Sequence, residues 1–160
     1  MLLALKRTPA SDATPTQIAL ADFTKWRLCS KYSHGGIVIG NQLLHSSFKD
    51  HGLTSEPFDV ATASTGWDFY DLGSERDAYV LALFEQLKGT PYDLLGLAIF
   101  VYAGKNAGDA KRLYCFEWCA LAMGLPVNGR VTPEMLLRAA LDKKGEQLCT
   151  QKTTANKWAT

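Results

Sequence analysis

The stretch Tyr32-Ser33-His34-Gly35-Gly36-Ile37-Val38-Ile39-Gly40-Asn41-Gln42-Leu43-Leu44-His45 reads as a short β-hairpin with a histidine on each arm. Gly40-Asn41 lies between two apolar runs, and both residues tolerate positive φ, which marks a two-residue turn. That loop pairs Ile39 with Gln42 and Gly36 with His45. Side chains alternate along a strand and paired residues share a face, so His34 and His45 point the same way as diagonal neighbours. A three-residue loop would send them to opposite faces. Gly35 and Gly36 remove side chains directly after His34, as happens where something must approach closely.

Outward from the hairpin, Leu2 to Lys6 forms a first strand. A helix from Thr16 to Leu28 follows, with Thr14 as cap, Pro15 in the first helical position, and Ile18, Leu20, Phe23, Trp26 and Leu28 near helical spacing. After the hairpin, Asp50-His51-Gly52 is a solvated turn, Leu53–Val60 and Gly66–Leu72 are strands, and Ala61–Thr65 is a loop. Ser74 with Asp77 caps a helix whose buried stripe is Val80, Leu81, Phe84 and Leu87; Gly89 ends it. Thr90-Pro91 then starts an apolar helix to Ala103, and residues 104–111 form a loop. Two more helices run from Tyr114 to Met123 and from Thr132 to about Leu141. Trp26, Trp67 and Trp118 are expected in the core.

These elements predict an α+β fold, with an antiparallel sheet packed against helices that come mostly in the second half. Residues 1–145 form one domain, and the polar residues 146–160 a weakly ordered tail.

The 160 residues, 47% hydrophobic and 21% charged, suffice for one domain with a real core. A net charge of +1 gives no electrostatic reason for a nucleic-acid or membrane partner. The longest apolar run, Leu94 to Ala103, is about half of the roughly 20 residues that cross a bilayer. The N-terminal stretch places its charges after a short apolar run, which is not signal-peptide order, so the expected location is cytoplasmic, or a virion if the source is a phage.

Cys29, Cys115, Cys119 and Cys149 match neither a CxxC pair nor a zinc ribbon, so reduced thiols are the default. Cys115 falls in the first turn of its helix, where the dipole and unpaired N–H groups favour thiolate and could hold an oxyanion. A cysteine nucleophile needs a base and a group that orients the base, and His34 and His45 are the candidates. The plainer reading makes Cys115 and Cys119, four apart, small buried hydrophobes on one helical face. A metal site of His34, His45, Cys115 and Cys119 is a rival, although its spacing follows no known signature.

Three segments carry a resemblance. Tyr32-Ser33-His34-Gly35-Gly36-Ile37-Val38-Ile39-Gly40 with Leu43-Leu44-His45-Ser46, then Gly89-Thr90-Pro91-Tyr92-Asp93, then Leu113-Tyr114-Cys115-Phe116-Glu117-Trp118 with Thr132-Pro133 follow in that order. Together they resemble the circularly permuted NlpC/P60 (papain-like) cysteine hydrolases, in particular the YiiX/YebB-like branch and its phage relatives. Histidine precedes cysteine, as in the permuted branch. The resemblance implies a permuted papain-like fold with no cofactor and no metal. It implies Cys115 as nucleophile, His34 as base and His45 as orienter, with Tyr92, Ser33 and Gly35 lining the substrate cleft. It also implies a peptidoglycan stem peptide, or another acyl or amide substrate, as partner. Phe116 departs from the pattern, since serine is usual there. Two alternatives stand beside this hydrolase: a lecithin:retinol acyltransferase-like acyltransferase or amidase, and a catalytically silent domain within a virion or other assembly.

Overall fold

The computed structural model describes residues 1–9, 13–93, 111–127 and 131–143. The expected apolar helix beyond residue 93, most of the loop 104–111 and the tail lie outside the described residues. The fold is α+β, built on a five-stranded antiparallel sheet.

The strands are β1 (Leu2–Lys6), β2 (His34–Ile39), β3 (Gln42–Ser47), β4 (Gly52–Pro57) and β5 (Trp67–Asp71), arranged in the order β4-β3-β2-β1-β5. The hairpin register is Ile37 with Leu44, Val38 with Leu43 and Ile39 with Gln42. Its loop is therefore the two residues Gly40-Asn41. Positive φ falls on Gly40 alone (φ 60°), so only the first loop residue needs glycine's freedom.

The helices are α1 (Pro15–Leu28), α2 (Val60–Ala63), α3 (Asp77–Leu87), α4 (Cys115–Met123) and α5 over residues 133–143. The start of α1 follows from local chemistry. Thr14 Oγ1 accepts from Gln17 N–H (3.3 Å) and Gln17 Oε1 accepts from Thr14 N–H (2.8 Å), a closed capping box before a proline-led first turn.

Four local expectations need correction. The short helix α2 lies where a loop was expected, because Asp59 Oδ1 accepts from Ala61 N–H (3.0 Å) and starts a turn. Helix α3 begins at Asp77 rather than Ser74, after a turn closed by Asp77 N–H on Ser74 O (3.1 Å), and Leu81 lies outside its buried face. Pro91 and Tyr92 are not a first helical turn. They form bridges to Gly52 and Leu113, held by Leu113 N–H on Pro91 O (3.1 Å) and Asp93 N–H on Leu113 O (3.4 Å). Trp26 is 72% exposed, since α1 buries little beyond Thr24 and Leu28.

Alternation divides the sheet into two faces. The first carries Leu3, Leu5, Ile37, Leu44 and Leu53 against Val80 and Phe84 of α3, Trp118 and Cys119 of α4, and Leu136 of α5. The second carries Ala4, Val38 and Leu43, with the half-buried Phe58, Val60, Trp67 and Phe69 around them.

Candidate functional site

Two hydrogen bonds fasten α4 to β3. The Trp118 indole donates to Leu44 O (2.8 Å), and Ser46 Oγ donates to Leu113 O (2.6 Å) just before the helix begins. Both donors are buried, so losing either bond would strand a polar group in the core. Tyr114 caps the helix: its N–H donates to Glu117 Oε2 (3.2 Å), and its hydroxyl bridges the carbonyl and N–H of Val131 (2.9 and 3.2 Å). Cys115 thereby becomes the first residue of α4, held against the beginning of β2.

There the N–H groups of Gly35 and Phe116 and the Tyr92 hydroxyl favour the Cys115 thiolate. Gly35 is the residue after His34. The missing Gly35 side chain also makes room for Phe116, whose ring carbons lie 3.1 Å from where a Cβ would stand. The large residue at 116, where the resembling family has serine, therefore fills space that the glycine leaves.

Tyr92 reaches the sulfur because its segment is tied to β4. Leu53 N–H donates to Thr90 O (2.9 Å), Gly89 N–H to Leu53 O (2.9 Å) and Tyr92 N–H to His51 O (3.4 Å). Gly52 is obligatory at this crossing, because a Cβ there would meet the Thr90 carbonyl.

His34 and His45 meet as the two-residue loop requires. His34 Nε2 and His45 Nδ1 are 2.9 Å apart, with ring planes at 78°. Gly36 permits this approach, since a Cβ there would come within 3.1 Å of His45 Cβ and closer still to Leu43. Trp67 stands edge-on to His34 at 6.1 Å, and Lys6 lies over the Trp67 ring. By strand alternation both imidazoles belong to the second face, whereas Cys115 belongs to the first-face core. The sulfur and the imidazoles thus flank the start of β2 from different faces. Ser33 contributes its backbone N–H, which donates to Lys6 O (3.0 Å).

Burial governs the electrostatics. It pushes the Cys115 thiol up to about 12, against the lowering by its hydrogen bonds. The expectation that the helix start favours thiolate is therefore corrected: with Cys115 only 3% exposed, desolvation outweighs the dipole. His34 is held well below the ordinary imidazole value by burial, then by His45 and Lys6. His45 is lowered by burial too, although Glu56 and Asp50 oppose the shift. Both rings are neutral at pH 7, the state a general base requires.

Sequence reasoning passed over two buried carboxyls. Asp93 and Glu117 lie beneath the start of α4, and burial, with Asp93 adding repulsion, raises Glu117 to about 7. The available signal for Glu117 was its position at the third residue of a helix, where glutamate closes a capping box. The rival metal set of His34, His45, Cys115 and Cys119 is not gathered in this structure. Among the described residues no group of three or more histidines, cysteines or carboxylates could hold a metal ion. Nor is any described helix long and apolar enough to cross a membrane.

Compared with known proteins, the chain matches no family model and no curated protein.

Proposed function

We propose that this chain is a cysteine hydrolase of the permuted papain-like (NlpC/P60) type that cleaves amide bonds. The observation that supports it best is the make-up of the start of β2. Gly35, whose N–H favours the thiolate of a cysteine that opens a helix, directly follows a histidine hydrogen-bonded to a second one. The His34–His45 bond uses His34 Nε2, so Nδ1, the ring nitrogen nearer the backbone, is the one left to accept a proton.

In this reading His34 Nδ1 takes the Cys115 proton, and the thiolate attacks the amide carbon. The carbonyl electrons move to an oxyanion near the first N–H groups of α4 and the Tyr92 hydroxyl. The amine leaves with the proton from His34, giving an acyl-enzyme. Water, losing its proton to the same nitrogen, then releases the acid and restores the thiol. The preferred substrate is a peptidoglycan stem peptide cut beside a D-amino acid, as the resemblance implies.

Cys115→Ala should lower hydrolysis of stem-peptide substrates by at least about a thousandfold while keeping the fold, as expected when a nucleophile is lost. Activity equal to the parent chain would overturn the mechanism. His34→Ala should cost more than His45→Ala; the reverse order would exchange base and orienter.

One observation favours a second reading, the catalytically silent domain: the sulfur is buried and its thiol raised. Thiol alkylation separates the two. A nucleophile exposed by cleft opening is labelled far faster than denaturant-induced unfolding allows, whereas a core cysteine is labelled only as the chain unfolds.

A further inference from the structure

The tautomers of the histidine pair implicate a further residue. For His34 Nδ1 to accept a proton, the neutral His34 must carry its hydrogen on Nε2 and donate it to His45 Nδ1, 2.9 Å away. His45 Nδ1 is then an acceptor, so its own hydrogen must sit on Nε2. That atom is buried and, among the described residues, has no hydrogen-bond partner. An N–H without an acceptor in such a place is costly and would favour the opposite tautomer, which puts the His34 hydrogen on Nδ1 and stops that atom acting as a base.

The Glu56 carboxylate stands 3.7 Å from His45 Nε2, a small side-chain rotation short of a hydrogen bond. Glu56 is paired with Leu43 across β3 and β4, while Thr54 is paired with His45, so Glu56 lies diagonally to the imidazole on the same face. It is 52% exposed on its side chain and has room for that rotation. The other charged groups facing His45 are Asp50 from the β3–β4 turn, which assists Glu56, and Lys6 from β1, which opposes it.

We infer that Glu56 is a positioning residue, which accepts the Nε2 hydrogen of His45 and thereby holds both histidines in the tautomers that let His34 act as base. This rests on the hydrolase reading for its purpose, but the tautomer is measurable without activity. The chain contains three histidines, so long-range 1H–15N spectra at pH 7.5 can assign each ring.

In the parent chain and in Glu56→Gln, which keeps an acceptor oxygen, His45 should carry its hydrogen on Nε2. In Glu56→Ala it should shift measurably toward Nδ1, and kcat/KM should fall roughly tenfold, the scale of one lost hydrogen bond to a charged group. Glu56→Gln should recover most of that loss. An unchanged His45 tautomer in Glu56→Ala overturns the inference, whatever the activity. A Glu56-dependent tautomer in a chain that hydrolyses nothing would sustain the positioning role and remove the hydrolase reading alone.

Discussion

The two faces of the sheet share five strands and end in different environments. The first face is closed by α3, α4 and α5, and its residues pack at full burial. Among the described residues, the second is overlaid by little more than the aromatic cluster of Phe58, Trp67 and Phe69 and the single turn of α2, and its aromatics stay partly exposed. Leu3, Leu5, Ile37 and Leu44 supply the stabilising face, while the histidine pair, Lys6 and Glu56 gather on the open one. Burial carries stability on one side and leaves room for polar groups on the other. Cys115 lies at the seam, in the closed core, while the N–H of Gly35, next to a histidine of the open face, favours its thiolate.

Substitutions can probe that contrast. Trp118→Ala on the closed face removes a fully buried ring and its bond to Leu44 O, and should cost about 3–5 kcal/mol in denaturant unfolding. A cost below about 1 kcal/mol would show that the face is not sealed.

Glu117→Gln tests the seam from below. The folded carboxyl value, near 7, lies above the unfolded 4.5, so the native state binds the proton more tightly. Wild-type stability from this group is therefore fully present below pH 4.5 and is lost as pH rises through 7. Glutamine keeps the cap acceptor and does not titrate. The variant should unfold at higher denaturant above pH 7, by about 1–3 kcal/mol, with the gap closing toward pH 4.5. A pH-independent difference would contradict the burial of Glu117.

Acid should act on the histidine face. Both imidazoles are depressed in the folded state, so below the unfolded value of 6.5 the unfolded chain takes up protons that the native state refuses. Stability should fall from pH 6.5 downward, each ring adding a slope of up to about 1.4 kcal/mol per pH unit until its folded value is reached. The double variant His34→Gln, His45→Gln should flatten that limb, read by urea unfolding at pH 5 and 7. The smallest effect belongs to the open face: Trp67→Ala should cost about 1 kcal/mol, since its ring is only partly buried.

Much of this was legible from short-range chemistry. The Gly40-Asn41 turn between apolar runs set the hairpin register, and the register brought His34 to His45. Thr14 and Pro15 marked the start of α1 for the same reason, because caps and turns are satisfied by residues a few positions apart. Long-range partners were not legible. Periodicity alone did not reveal that Trp26 stays largely exposed, or that Pro91 and Tyr92 pair with Gly52 and Leu113 instead of coiling. Glu56 carried no motif, and its relation to His45 exists only once β3 and β4 are side by side.

Residue order and local propensity thus determined the α+β class, the hairpin, the start of α1 and the candidate trio of Cys115, His34 and His45. Only the tertiary structure decided which face each group occupies and what protonation state it holds. An imidazole or thiol titrates according to the water it loses and the charges brought near it, and both are set by segments far away in the chain.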